Sequence, residues 1–146
     1  MKFQTDKVII YSDGSCSPNP GVGSWCCIIK WNDKELIQTG IEEESTNNRM
    51  EIMGIYHCLL QLVKYDIKNI HIISDSRYLQ YGLVFKEKRL NKPKTPNLDI
   101  WKPIHKIKKN YNLNIKCEWI KGHAGHIENE RCDEIATKIR KEHFGI

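Results

Sequence analysis

The sequence predicts an α/β protein, a mixed sheet with helices packed on it. Three observations predict it. Three short apolar segments with tight connections open the chain and read as an antiparallel meander. Near residue 47 the hydrophobic period changes from that of a strand to that of a helix. After it, two more strand-like runs, "NIHIISD" and "NIKCEWI", alternate with helical segments, giving the order β-β-β-α-β-α-α-β-α.

Each element follows from its residues. Residues 8–12 read as a buried strand, 23–30 ("GSWCCIIK") and 35–41 ("ELIQTGI") as two more, joined by a turn at "WNDK". Asn47 or Asn48 then suits the cap of a helix carrying Ile52, Ile55, Tyr56, Leu59, Leu62 and Val63 at helical spacing. A strand over 69–75 leads into a helix over 76–85 and a basic loop with Pro93 and Pro96. A helix over 98–110, a strand from 114 and a last amphipathic helix over 127–142 follow. That last helix sets Cys132, Ile135, Ala136 and Ile139 on one face.

Composition narrows the class. The 146 residues are expected to form one domain, 1–146. They are 40% hydrophobic and 28% charged, as in soluble globular proteins, and contain no run of eighteen apolar residues. The opening "MKFQTDKVIIYSDG" lacks a secretory leader, so a cytoplasmic protein with no membrane partner is expected, with nucleus or organelle left open. Of six cysteines, Cys26 and Cys27 are adjacent and Cys16, Cys58, Cys117 and Cys132 are scattered, without a C-x-x-C. Reduced thiols packed as small hydrophobes are expected, rather than a zinc ribbon or a disulfide framework. Between Lys86 and Lys109 nine Lys and Arg stand against Glu87 and Asp99, a net of +7 where the whole chain carries +5. A solvated surface or a polyanion partner would each account for that.

The stretch "VIIYSDGSCSPNPGVGSW" sets Asp13 at the end of a buried strand, before Gly14, Pro18, Pro20, Gly21 and Gly23. A carboxylate there is costly unless positive charge opposes it. Asp75 repeats the arrangement after Ile70–Ile73, where Asp75 or Ser76 would also serve as a helix cap. Glu51 suits the first turn of its helix, and Asp133 an exposed helix face. Singly, each acid is better explained by structure. Together they converge if the strands ending in Asp13 and Asp75 are parallel neighbours, since ligands gather at the carboxyl ends of such strands. Carboxylates in one cleft repel unless a cation joins them, and oxygen donors alone suit Mg²⁺ or Mn²⁺.

The motifs "YSDGSCSPNPG", "TNNRMEI", "SDSRYLQYG" and "WIKGHAGHIENERCDEIA", in this order, closely resemble the type 1 ribonuclease H family over almost the whole chain. The form is the compact one, in which no N-terminal hybrid-binding domain is expected. The resemblance implies a ribonuclease H-like fold: a five-stranded mixed sheet, antiparallel meander plus parallel strands, with helices on both faces. It implies an endonuclease that cuts the RNA strand of RNA/DNA hybrids by two-metal in-line displacement, leaving 5′-phosphate and 3′-hydroxyl ends. Two Mg²⁺ ions are implied, with Mn²⁺ able to substitute, and a monomer is expected.

By the same resemblance Asp13 bridges both ions. Asp133 helps hold the ion that activates the attacking water, and Glu51 and Asp75 hold the ion at the leaving 3′-oxygen. The Gly/Pro turn after Asp13 is expected to let the nucleic-acid backbone approach closely. His123, in the Gly-bracketed "GHAG", takes the family's proton-handling and product-release role in preference to His126; an H-x-x-H zinc site would lack further ligands. Contacts to the 2′-OH side of the substrate fall on Gly14, Ser15, Cys16, Asn19, Asn47, Asn48, Glu51, Ser76 and Arg77. Lys86, Lys88, Arg89 and Lys92 are expected to touch phosphates. Two departures stand out: Arg77 replaces the glutamine common in bacterial relatives, and the segment from Asp75 to Trp101 is shorter and lacks their tryptophan-rich basic handle. A silent hybrid-binding module, an exonuclease and a junction resolvase are the competing readings; the full set of acids and the asparagines of "TNNRMEI" argue against them.

Overall fold

The structure, a computed structural model, describes residues 7–146; the first six, part of the stretch read for a leader, lie outside the described residues. Five strands form one sheet in the order β3-β2-β1-β4-β5. They are β1 (Val8–Ser17), β2 (Gly21–Trp31), β3 (Lys34–Ser45), β4 (Asn69–Ser74) and β5 (Asn114–Trp119). The first three pair antiparallel, whereas β4 lies parallel to both β1 and β5. The mixed five-stranded architecture is thus as expected.

The helices are α1 (Asn47–Val63), α2 (Arg77–Gly82), α3 (Glu87–Leu90), α4 (Leu98–Asn110) and α5 (Ile127–Phe144). Alternation along β2 sends its side chains to two layers. Cys27 and Ile29 join Met50, Ile52, Ile55 and Leu59 of α1, with Trp101 and Ile104 of α4 in the same core. Cys26 and Ile28 meet Cys132 and Ala136 of α5 on the other face.

Several expectations are corrected. The first strand does not stop at residue 12: β1 runs to Ser17, paired with β2 from Ile9↔Lys30 to Ser17↔Val22. Asp13 therefore sits within a strand, opposite Cys26, just past the last β4 pairing at Tyr11↔Ile73. The cap of α1 is Thr46, whose hydroxyl accepts from Arg49 N at 3.1 Å, so Asn47 and Asn48 are left facing outward. The expected helix over 76–85 stops at Gly82, and a separate short α3 forms inside the expected loop. Gly82 lies flush against the Trp101 ring, with no room for a Cβ. His105 Nε2 and Lys108 Nζ of α4 bond the Gly82 and Leu83 carbonyls there. The last helix extends to Phe144 and ends on Gly145 in the left-handed conformation, φ 74°. Finally, Cys27 and Cys58 form a disulfide between β2 and α1, correcting the expectation of six reduced thiols; Cys16, Cys26, Cys117 and Cys132 are free. Among the described residues no helix is long and apolar enough to cross a membrane.

Candidate active site

A cleft of about 590 Å³ opens where β1 and β4 diverge. Parallel pairing of β1 with β4 directs the ends of both strands toward it, and the first turn of α1 covers its rim. Asp13 comes from β1, Glu51 from α1 and Asp75 from the residue after β4. One carboxylate oxygen from each lies within 4.8 Å of the others. Among the described residues this is the one group of three or more His, Cys, Asp or Glu side chains so arranged, and neither His123 nor His126 belongs to it.

Local packing fixes these acids. Gly14 N donates to Asp13 Oδ1 at 2.9 Å, and Ser12 Oγ to the Glu51 carbonyl at 3.3 Å. A Cβ on Gly14 would come within 2.7 Å of Met50 Cβ and 2.9 Å of Glu51 N. The small residue after Asp13 thus admits α1. Gly14 also lines the cleft, where it presents backbone alone. Arg49 anchors the same turn of α1, reaching Glu42 at 2.7 Å and Asp99 at 2.7 and 3.0 Å. Asp75 is held from three sides. Trp119 Nε1 donates to its carbonyl at 3.0 Å, Asn129 Nδ2 approaches Oδ2 at 3.5 Å, and Gly122 lies so close that a Cβ would sit 2.7 Å from Oδ2.

The electrostatics are those of an unneutralised acid cluster. Burial pushes Asp13 up to about 6; the Asp75 and Asp133 charges add to the rise, and a hydrogen bond from Glu51 opposes it. Glu51 is raised well above the ordinary carboxylate range, by burial first and then by the Asp13 charge. Its Oε2 is fully buried with no hydrogen-bond partner. Among the described residues, no lysine, arginine or histidine forms an ion pair with any of the four acids. An orphaned carboxylate oxygen in an all-oxygen cluster fits a hard divalent cation.

The remaining expected residues fall as follows. Asp133 enters the cleft from α5 but lies outside the converging trio. His123 lines the cleft from the loop before α5 with φ 53°, whereas His126 stands at the start of α5, away from the cleft. Gly14, Ser15, Cys16, Asn47, Asn48, Ser76 and Arg77 all line it. Ser15 is buried, its hydroxyl held by Thr137 at 3.3 Å and by Arg140. Asn19 does not line the cleft; its Oδ1 accepts from Asn47 N at 3.2 Å, tying the turn to α1. Ser76 caps α2 by accepting from Leu79 N at 3.0 Å. Lys86, Lys88, Arg89 and Lys92 are exposed and lie outside the cleft lining.

Trp119, Asn129, Gly122 and Tyr78 were not singled out from sequence. Asn129 carried a usable signal: it precedes Asp133 by four residues and so shares its helix face.

A family model described as RNase H matches residues 5–141. The chain is 36% identical to the Ribonuclease H of Bartonella quintana over 151 aligned residues, spanning 98% of this chain and 95% of that one. It is 37% identical to the Ribonuclease H of Chromobacterium violaceum over 141, spanning 91% and 94%. Among solved structures, LC9-RNase H1, a type 1 RNase H with the type 2 active-site motif, superposes with a TM-score of 0.81 at 20% identity, over 97% of this chain and 75% of that one. LC11-RNase H1, in complex with an RNA/DNA hybrid, superposes with a TM-score of 0.72 at 22% identity, over 92% and 97%. The chain belongs to the RNase H family. Its enzyme class is ribonuclease H.

Proposed function

We propose that the chain is a single-domain, monomeric endonuclease that hydrolyses the RNA strand of RNA/DNA hybrids, leaving 5′-phosphate and 3′-hydroxyl ends, and that it acts in the cytoplasm. The observation that carries this reading is the convergence of Asp13, Glu51 and Asp75 within 4.8 Å without a cation from the chain itself. Asp13, Glu51, Asp75 and Asp133 hold two Mg²⁺ ions, for which Mn²⁺ can substitute. When bound, the ions supply a nucleophile from water at neutral pH and charge compensation at the leaving 3′-oxygen.

The chain's own groups do the rest. Asp13 would serve both ion positions; its convergence with Glu51 and Asp75 and the influence of the Asp133 charge on it support that role. Glu51 and Asp75 serve the leaving-group side, and Asp133 the water side. His123, exposed on its loop at the mouth of the cleft, takes and returns protons and eases product departure. The 2′-OH side of the RNA is read by Gly14, Ser15, Cys16, Asn47, Asn48, Glu51, Ser76 and Arg77, with Asn19 acting through the Asn47 backbone. Asn47 and Asn48 are free for this because Thr46 is the cap. Lys86, Lys88, Arg89 and Lys92 contribute phosphate contacts without reading sequence.

The test is a cleavage panel in Mg²⁺ on end-labelled RNA/DNA hybrid, duplex RNA, duplex DNA and single strands. Internal cuts in the RNA strand of the hybrid alone are expected, with products that a ligase rejoins directly, without prior phosphorylation or removal of a 3′-phosphate. Equal cutting of duplex RNA, or release of mononucleotides from an end, contradicts the reading.

A further inference from the structure

A second groove, about 850 Å³ and sharing no lining residue with the acidic cleft, lies between α3 and α4. Its rim carries Lys102, Lys106, Lys108 and Lys109 against one acid, Glu87, and Phe85, Leu90 and Leu113 supply apolar surface. Lys102, Lys106 and Lys109 fall on one face of α4, over about 10 Å of helix axis. None of the three pairs with a carboxylate among the described residues. Such a row is unfavourable by self-repulsion unless a polyanion lies along it.

The groove is joined to the acidic cleft by α2. That helix starts beside the cleft at Arg77 and ends at Gly82, about 9 Å on. Its last carbonyl, and the next, accept from His105 Nε2 at 2.7 Å and Lys108 Nζ at 3.1 Å, both groove residues. Tyr81, on α2, is 69% exposed. We infer that the α3–α4 groove holds a single-stranded continuation of the nucleic acid beyond the hybrid, with Lys102, Lys106 and Lys109 on its phosphates. A duplex would present only its phosphates and needs no apolar floor. A single strand lays base faces on apolar and aromatic surface while its backbone follows the cations. This rests on the proposed hybrid substrate.

The measurement is binding in Ca²⁺ across a salt series, using a short blunt hybrid and the same hybrid with a single-stranded DNA extension at either end in turn. Three proteins are compared: the unaltered chain, Lys102→Ala/Lys106→Ala/Lys109→Ala, and a charge-matched control, Lys34→Ala/Lys64→Ala/Lys116→Ala. One of the extensions is expected to tighten binding about tenfold and to steepen the log Kd against log salt slope by about 2 units, at about 0.7 per phosphate. The groove variant is expected to lose that gain while binding and cleaving the blunt hybrid as before, and the control to keep it. No gain from either extension, or a gain that survives in the groove variant, overturns the inference; so does equal loss in the control. Blunt-hybrid cleavage in Mg²⁺ by the unaltered chain tests the ribonuclease reading separately, so the two can fail independently.

Discussion

Asp13 of β1 and Glu51 of α1 bring a carboxylate oxygen of each within 4.8 Å of the other, and the buried Glu51 Oε2 has no hydrogen-bond partner. Burial, and then the Asp13 charge, raise Glu51 well above the ordinary carboxylate range, and burial raises Asp13 as well. Without a cation the cluster is therefore a source of instability that depends on pH.

The sign follows from linkage. Asp13 is raised from 3.8 to about 6, so in this window the folded state binds the proton that the unfolded state has lost. Stability from this group is fully present below about pH 4 and is lost as pH rises through 6, a change on the order of 2–3 kcal/mol. Asp13→Asn, which cannot ionise, is expected to unfold at higher temperature than the unaltered chain at pH 7 without metal, with the advantage shrinking toward pH 4. Mg²⁺ is expected to raise the unfolding temperature of the unaltered chain and hardly that of the variant. Calorimetry at pH 4, 5.5 and 7 checks this. An unaltered chain that is the more stable at pH 7 without metal contradicts it.

The Arg77 guanidinium lies 3.7 Å from the centroid of the Trp119 ring, whose Nε1 bonds the Asp75 carbonyl. One ring thus holds a cleft-lining cation and an acid of the cluster. Arg77→Gln is expected to weaken hybrid binding severalfold and lower the salt slope by about 1 unit, with kcat nearly unchanged. Trp119→Leu is expected to lower kcat as well, because Asp75 loses an anchor. Steady-state kinetics with binding in Ca²⁺ separate the two; an equal fall in kcat for both would show that Arg77 acts on the chemistry.

His123→Ala is expected to reduce turnover about 10²-fold, within the range for lost proton transfer, and to leave hybrid affinity within twofold. His126→Ala, at the start of α5 and off the cleft, is expected to change either little. Parallel single-turnover and binding measurements decide it, and a larger loss for His126→Ala reverses the assignment.

The triple variant Lys88→Ala/Arg89→Ala/Lys92→Ala is expected to raise KM and to flatten the salt slope by up to about 2–3 units, with little change in kcat. These side chains are exposed, so the fold should survive. An unchanged slope would mean that they form a solvated surface only.

Element order was legible because hydrophobic period changes sharply at α1 and because β4 and β5 are short apolar runs between helices. The far end of β1 was not. Gly14, Ser15 and Cys16 are weak strand signals, and their extended form comes from pairing with β2. "STNN" offers four residues able to cap, and only the direction of the Thr46 hydroxyl selects among them. Alternation placed Cys26 and Cys27 on opposite faces, but which helix cysteine meets which requires the packed layers. At the site, Asp13 and Asp75 stood out because each follows an apolar run, whereas Glu51 and Asp133 stood out only through the motifs around them. Trp119 and Asn129 act through Asp75, 44 and 54 residues away, a proximity that only the folded sheet creates.

The most direct test is single-turnover cleavage of the RNA strand of a labelled hybrid at saturating enzyme, titrated with Mg²⁺ from an EDTA-treated stock, for the unaltered chain and a folded Asp13→Asn variant. The account requires no cleavage in EDTA and recovery with Mg²⁺ or Mn²⁺. Ca²⁺ should support binding with little cleavage, since its longer, looser coordination misplaces the reacting groups. Asp13→Asn should lie at least about 10³-fold below the unaltered chain at every Mg²⁺ concentration. Cleavage in EDTA at the Mg²⁺ rate, or a variant within tenfold of the unaltered chain, would contradict it.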